Sequence, residues 1–258
     1  MNLRHTTRDI IQTVEQRTGY PVEVIEDGSL SVTAVAHMAS RRTVPAHLLR
    51  YNPVTGQLPD YPLCFQCGFI LRLFDNPPEK RFEVANTPDG EEMVEKMVFA
   101  RLGNMGIDRR HLARIAQQMY HGMIVHLRSI PVGLRVSAWL AEEYPELRQL
   151  QRNQVMAEVQ EHAASLDPQI RAVTPDIFFR ASASINAAFA LYWSQRYKKP
   201  SLIQPYIQAG YRKEGADLLD IWNEIPKDAS HDQELIDRWA QALDLSEWYQ
   251  WIPYQPPT

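Results

Sequence analysis

The sequence is short of cysteine and of long apolar runs, and each shortage excludes a class of protein. Only two of its 258 residues are cysteine, so it has no disulfide framework of the kind that supports small secreted domains. No apolar run approaches the ~20 residues of a membrane-spanning helix. The first residues, MNLRHTTRDIIQ, lack the apolar core of a signal peptide. These shortages predict a cytoplasmic protein with no membrane partner.

The sequence also lacks an excess of basic residues over acidic ones. The chain has 27 Lys and Arg residues against 31 Asp and Glu residues, for a net charge of −4. A non-specific nucleic-acid binder needs a basic face. The local cluster of Arg109, Arg110 and Arg114 is interpreted as a solvated helix face. Nucleic acid is therefore not an expected partner.

The apolar pattern predicts a helix and three strands in the first fifty residues. Residues 7–17 carry apolar side chains at helical spacing and end at Gly19, a typical helix terminator. Asp27-Gly28 has the composition of a tight turn between two strands. The segments with strand character are residues 22–26, 31–39 and 46–51.

From about residue 89 onward the pattern is helical throughout. Pro131 and Gly133 are expected to interrupt it. The predicted fold is therefore a helix-dominated α+β protein. In it, a helix and a small three-stranded sheet pack on a central helix at residues 61–74, and an all-helical half follows. The predicted parts are residues 1–105 and 106–258, either as two domains or as one continuous compact unit. The predicted helices of the second part span residues 109–129, 134–143, 146–165, 177–197 and 232–243, after one at 90–103, and residues 206–224 are predicted to form a helix or a helical pair around Gly210 and Gly215.

The most informative stretch is the apolar segment YPLCFQCGFILRLF at residues 61–74. It predicts a buried helix because only Ile70 is β-branched. Its centre, FQCGF, fits the frame of the zinc-peptidase motif H-E-x-x-H, in which two histidines at i and i+4 bind zinc and the glutamate acts as a base. Phe65 and Phe69 take the histidine positions and Gln66 takes the glutamate position. None of the three supplies a ligand or a base.

Together with the preceding helix and strands, this segment resembles the ImmA/IrrE-type metallopeptidases, which cleave phage or stress repressors, and more broadly the zincins with an H-E-x-G-H motif. The resemblance covers residues 7–105 at most. Gly68 stands where that family commonly has a glycine before its second histidine. Phe99-Ala100 fits the family's downstream pattern E-x-x-A-x-x-F-A, which places Met93 at the position of the third ligand, a glutamate.

The resemblance implies a pseudoenzyme that has lost its metal and its catalysis and needs no cofactor. Its implied role is protein binding, with regulation of a peptidase, a defence system or a stress system as the expected outcome. The alternative is that residues 61–74 are simply a core helix and that the motif match is accidental.

Two further sets of residues suggest an enzyme instead. Cys64 and Cys67 form a C-x-x-C pair, which supplies two of the four ligands of a structural zinc site or the thiols of a redox site. His121 and His126 are the candidates to complete a Cys2His2 set, although their i, i+5 spacing points them in different directions. His37 and His47 are a second candidate ligand pair, on neighbouring strands. In each case ordinary core or surface residues are the alternative.

The end of the sequence is rich in aromatic residues. Trp248, Trp251 and Tyr254 are candidates for binding a partner, and docking of this tail on its own domain is the alternative. A structural or assembly subunit is therefore a third functional hypothesis, and self-association of the chain is left open.

Overall fold

The computed structural model describes residues 3–41, 44–55 and 58–257. The protein is a helix-dominated α+β fold, which confirms the predicted fold class, and short 3-10 turns join several of its elements. In chain order the elements are α1 (His5–Thr18), β1 (Val22–Glu26), β2 (Ala34–His37), β3 (His47–Tyr51), α2 (Asp60–Phe74), β4 (Phe82–Asn86), α3 (Pro88–Leu102), α4 (Arg109–Glu143), α5 (Arg148–Ala164), α6 (Pro168–Val173), α7 (Asp176–Arg196), α8 (Gln204–Gln208), α9 (Arg212–Glu224), α10 (Asp232–Ala242) and β5 (Tyr249–Pro253).

The chain divides into two compact units. The first unit contains the residues up to Glu83, Gly133–Gln154 and the residues from Ile252 on, and the second contains Val84–Val132 and Val155–Trp251. This division differs from the single border predicted after residue 105. A border read along the sequence assumes that each unit is one continuous segment, whereas here later segments return to the first unit.

The sheet of the first unit has the strand order β1-β3-β2. β1 pairs in parallel with β3, and β2 pairs with β3 in antiparallel orientation. The tight turn predicted at Asp27-Gly28 therefore does not join paired strands. Instead, the amide of Asp27 donates to the carbonyl of Tyr51 at 2.8 Å, so the end of β1 continues along β3.

The core of the first unit lies where α1, α2 and one face of this sheet meet. Ile10 and Val14 of α1 and Leu49 of β3 are fully buried in one apolar cluster with Ile70 of α2. α1 ends at Gly19, which adopts the left-handed conformation that favours glycine (φ 77°). This confirms the predicted end of the first helix.

Asp60 fixes the beginning of α2 against the beginning of α1. Its carboxylate is buried and accepts hydrogen bonds from the Arg4 amide at 2.8 Å and the Thr7 hydroxyl at 2.6 Å. A buried carboxylate requires such partners because an unpaired charge in the interior is strongly destabilising. Asp60 thereby sets the position of the stretch that follows it, residues 61–74.

In the second unit, α7 packs closely against α9. A β-carbon on Gly215 would lie 2.7 Å from Cβ of Ala187 and 2.8 Å from its carbonyl carbon. Small residues at both positions allow the two helix backbones to approach. Trp222, also on α9, is buried and donates from its indole nitrogen to the carbonyl of Pro131 at 2.9 Å.

Two predictions about the second half are wrong. Pro131 does not end a helix, because α4 continues through it from Arg109 to Glu143. A proline removes one helical hydrogen bond, and buried residues before and after it, such as Leu127 and Leu134, keep the helix in place. The second half is also not all-helical, since β5 pairs with β4 in a two-stranded sheet.

None of the helices in the described part of the chain combines the length and apolar character that a membrane crossing requires.

Candidate functional site

The two phenylalanines at the motif's histidine positions share one face of α2, as their i, i+4 spacing predicts. The rings of Phe65 and Phe69 meet edge to face with centroids 5.2 Å apart. That face is packed against α4 at Gly133, where an added β-carbon would lie 2.9 Å from Cζ of Phe65 and 3.6 Å from Cζ of Phe69. The helix face on which the predicted motif would place a metal ion is therefore occupied by side-chain packing.

Gln66, which the predicted motif frame aligns with a catalytic glutamate, forms a structural hydrogen bond. Its Nε2 donates to the carbonyl of Ala34 on β2 at 3.2 Å. Ala34 is opposite Tyr51 in the antiparallel ladder, and the neighbouring Asn52 amide donates to Thr33. Since hydrogen-bonded pairs alternate along such a ladder, the Ala34 carbonyl points away from β3. Gln66 thus joins α2 to the free edge of β2, and its neutral amide has no role as a base.

Gly68 marks the closest approach of α2 to α4. A β-carbon there would overlap Cγ1 of Val136 and lie 3.3 Å from Cβ of the same valine. A glycine at this position is explained by helix packing alone, without reference to a metal site.

Met93 lies on α3, in the second unit, and is partly buried. The neighbouring Glu92 is exposed and forms an ion pair with Lys96 at 2.5 Å. In residues 3–41, 44–55 and 58–257, no three His, Cys, Asp or Glu side chains converge as a metal site requires.

The two cysteines are in the interior of the first unit. Both have an exposed fraction of 0% and lie in the apolar cluster of α2. Burial raises the pKa of the Cys64 thiol to about 12 and that of the Cys67 thiol well above its ordinary value. A reactive or metal-binding cysteine needs its thiolate, so this environment favours two inert thiols over the predicted redox or metal site.

His37 and His47 do not form the predicted pair. In the register of β2 and β3, His37 is opposite Leu48, so His47 points to the other face of the sheet. His37 is exposed and His47 is fully buried.

His47 has a structural role in the first unit. Its Nδ1 accepts from the amide of Ala39 at 3.1 Å, and Nε2 lies 3.1 Å from the hydroxyl of Thr18. Since Nδ1 is the acceptor, the proton of the neutral ring is on Nε2. Burial lowers the pKa of His47 to about 4, which keeps the ring neutral at physiological pH.

The histidines of α4 are also separate from one another. His121 is exposed, whereas His126 is partly buried and its Nε2 lies 2.9 Å from Oδ1 of Asn186 on α7. A third histidine, His162 on α5, has its ring centroid 5.9 Å from that of His126. Sequence reasoning missed His162 because it lies in a polar helix with no motif around it.

The aromatic tail docks on the chain itself, the alternative to binding a partner. Trp248 is buried against Tyr120 and Phe178, and its carbonyl accepts from the Tyr120 hydroxyl. Trp251 is partly buried and donates to Asp237 at 2.9 Å. Tyr254 is buried in the first unit, where its hydroxyl donates to the carbonyl of Ala39. These three residues are therefore part of the fold.

Phe65, Gln66 and Gly68 are thus packed or hydrogen-bonded in the fold, both cysteines are buried, and the histidines lie in two units. No family model, curated protein or solved structure matches this chain.

Proposed function

We propose that this chain is a metallopeptidase-like pseudoenzyme that acts by binding a protein partner. The observation that carries the proposal is the use of Phe65 and Phe69 as packing residues against Gly133. Side chains that fill the space of a metal and its water leave no room for the chemistry of a peptidase.

Energetics support the replacement of metal ligands by aromatic rings. Imidazoles and a carboxylate without their metal would be partly desolvated polar groups, which destabilise a fold. A phenyl ring instead contributes up to ~1.5–3 kcal/mol when fully buried. Gln66 adds a hydrogen bond to Ala34, so each of the three substituted positions now contributes to stability.

Exposed apolar residues support binding as the activity. In the first unit the three most exposed lie on two loops, and we name Val32, Val54 and Leu58 the apolar loop surface. Their exposed fractions are 53%, 77% and 54%. The loops are held together by Asn52, which donates from Nδ2 to the Leu30 carbonyl at 2.7 Å and from its amide to the Thr33 carbonyl at 2.9 Å. We propose that these side chains form one apolar patch, since contiguous exposed apolar patches are typical of protein-binding surfaces.

The proposed setting is the cytoplasm, where two unpaired thiols persist in the reduced state. A peptidase, a defence system or a stress system that the chain regulates is the proposed kind of partner. Nucleic acid is not part of the proposal, since the net charge is −4.

The test combines metal content, hydrolysis and partner capture on the full chain. Protein purified without a chelating column is analysed by elemental mass spectrometry before and after zinc dialysis, and assayed for peptide hydrolysis. We expect no stoichiometric metal and no hydrolysis. One zinc per chain, or hydrolysis by the purified protein, would refute the pseudoenzyme.

Partner capture uses two matched charge variants. Val54→Asp introduces a charge on the apolar loop surface, and Val173→Asp introduces one at an exposed valine of the second unit (40% exposed). We expect the unmodified chain and Val173→Asp to recover the same cellular partner and Val54→Asp to lose it. Recovery of no protein by the unmodified chain, or equal recovery by both variants, would contradict binding through this surface.

A further inference from the structure

The strand β1 forms one border of the three-stranded sheet, and half of its backbone groups point away from that sheet. The amide of His47 donates to the carbonyl of Pro21 at 2.8 Å, and the amide of Asp27 donates to the carbonyl of Tyr51 at 2.8 Å. Alternate residues of a paired strand bond to the same neighbour, so residues 21, 23, 25 and 27 bond to β3. The backbone groups of residues 22, 24 and 26 therefore point outward.

The outward backbone groups of β1 are largely unpaired. Glu15 of α1 caps the first of them, because its carboxylate accepts from the amide of Val22 at 2.9 Å. The amides and carbonyls of Val24 and Glu26 have no hydrogen-bond partner in the part of the chain that the structure describes. A row of unpaired donors and acceptors at a sheet border is a template for one more strand.

The opposite border of the sheet, β2, differs from β1. There Gln66 of α2 already donates to the outward carbonyl of Ala34 at 3.2 Å. Along β1, in contrast, Glu23 and Glu26 are exposed and Ile25 has an exposed fraction of 38%. β1 is therefore the border at which an additional strand meets both unpaired backbone groups and accessible side chains.

Three carboxylates surround this border. Glu15 lies at its beginning, and Glu23 and Glu26 lie along it. Among the described residues none of the three forms an ion pair, although Glu26 accepts from the hydroxyl of Tyr51. Arg50, which is opposite Ile25 on β3, is already paired with Asp27. The charge along β1 is therefore negative and is not neutralised locally.

This charge decides which kind of strand fits. A second copy of β1 would bring three more carboxylates to the same border, and like charges in neighbouring strands are destabilising. A basic strand would instead be attracted. In an antiparallel register, two basic residues three positions apart would lie opposite Glu26 and Glu23, and the two residues between them would lie opposite Ile25 and Val24.

We infer that β1 binds an extended basic segment of a protein partner, which becomes a fourth, antiparallel strand of the sheet. The segment has the pattern basic, apolar, apolar, basic. This inference rests on the proposed function, since it gives the same protein partner a second point of attachment. β1 leads to the apolar loop surface, because a β-carbon on Gly28 would lie 3.6 Å from Cγ2 of Val54.

The experiment titrates the ¹⁵N-labelled full chain with the peptide acetyl-TKVVKT-amide and records amide spectra. Two matched peptides are the controls. Acetyl-TEVVET-amide reverses the charge, and TKVVKT with an N-methyl group on its second valine keeps the charge but lacks the amide that would donate to the Val24 carbonyl. We expect the largest shifts at Val24 and Glu26, and binding of TKVVKT at least about tenfold tighter than that of either control.

Three results of these titrations would overturn the inference. The first is no shift of the β1 amides up to the solubility limit of TKVVKT. The second is equal binding of the N-methyl peptide, which would show attraction of charge without strand pairing. The third is a dimer of the chain whose dilution shifts map to β1, which would assign this border to a second copy.

Charge variants test the role of Glu23. Glu23→Lys should weaken the binding of TKVVKT by about fivefold and strengthen that of TEVVET, because it replaces an attraction by a repulsion. Glu79→Lys, at an exposed glutamate of the same unit, is the matched control and should change neither. Equal effects of the two variants would refute a location at β1.

Val24→Pro tests the strand pairing from the side of the protein. It removes the outward amide, and proline is tolerated at a border strand where the amide faces solvent. Val24→Ala loses the valine side chain but keeps the amide, so it is the matched control. We expect Val24→Pro to bind TKVVKT about tenfold more weakly than Val24→Ala does. Equal binding by the two variants would contradict the inference.

The peptide titrations involve neither a metal ion nor the Val54 variant, so their result is separate from the test of the proposed function. Peptide binding without capture of a cellular partner would refute the proposed function alone. Capture of a partner through the apolar loop surface without peptide binding would refute the role of β1 alone.

Discussion

Gly68 on α2 and Val136 on α4 are so close that a β-carbon on the glycine would overlap Cγ1 of the valine. Overpacking of this kind typically costs ~1–3 kcal/mol. We therefore expect Gly68→Ala to lower the free energy of unfolding, although alanine is the better helix former by about 1 kcal/mol. Urea denaturation followed by circular dichroism measures the change.

The matched control is Gly122→Ala on α4, where the added β-carbon meets nothing within 4 Å. It should raise the free energy of unfolding by about 0.5–1 kcal/mol. In a double-mutant cycle, Val136→Ala should relieve part of the cost of Gly68→Ala. Additive effects in that cycle would show that the two residues do not clash.

His47 should make stability depend on pH in the acidic range. Its pKa is lowered to about 4 by burial, against about 6.5 in the unfolded chain, so the unfolded state binds the proton first as the pH falls. The contribution of His47 to the free energy of unfolding is complete above pH 6.5 and is lost progressively as the pH falls towards 4. Over this range the free energy of unfolding should fall by ~1.4 kcal/mol per pH unit because of this one group.

The measurement is denaturant unfolding at several pH values between 4 and 7. His47→Gln removes the titrating ring and should reduce the slope by about that amount. Thr18→Val removes the hydroxyl beside Nε2 but keeps the ring, so its slope should equal that of the unmodified chain. An unchanged slope in His47→Gln would disprove the assignment. His126 and His162, whose pKa values burial also lowers to about 4, account for part of the remaining slope.

The buried thiols should not react in the folded protein. Cys64 and Cys67 are fully buried, and their pKa values are raised by that burial. A thiol-specific disulfide reagent should label neither in native buffer and both in denaturant. Ser201→Cys, at an exposed position, is the positive control and should react at once. Rapid labelling of either native cysteine would reopen the redox and metal hypotheses.

The tail should contribute to folding stability. Tyr254→Phe removes the hydroxyl that donates to the carbonyl of Ala39, at an expected cost of ~0.5–1.5 kcal/mol plus that of an unsatisfied carbonyl. Thermal unfolding measures the effect. Gln255→Ala, at an exposed neighbouring side chain, should leave the melting temperature unchanged. Equal melting temperatures for Tyr254→Phe and the unmodified chain would show that the hydrogen bond is not stabilising.

Local patterns in the sequence predict much of this fold. The helix that ends at Gly19 and the strands β1 and β3 follow from spacing and turn residues a few positions apart. The parallel pairing of β1 with β3 does not, because a turn signal such as Asp27-Gly28 carries no information on which strand lies alongside. The sequence does not predict the pairing of β4 with β5 either, because the two strands lie far apart in the sequence.

The candidate sites also differ in how far local sequence patterns predict them. The shared face of Phe65 and Phe69 is predictable from their i, i+4 spacing on one helix. The group of His126, His162 and Asn186 is not, because three helices each contribute one residue and only tertiary packing brings them together. The burial of Cys64 and Cys67 likewise depends on what packs around α2.

The hydrogen bond between Tyr254 and Ala39 can form only late in the synthesis of the chain. The two residues are 215 positions apart, and a ribosome adds ~5–20 residues per second. The nascent segment with Ala39 therefore waits roughly 10–40 s for its last partner. Throughout that interval the surface that the tail covers stays exposed on the nascent chain, so we expect the first unit to complete its folding only after residue 254 has been added.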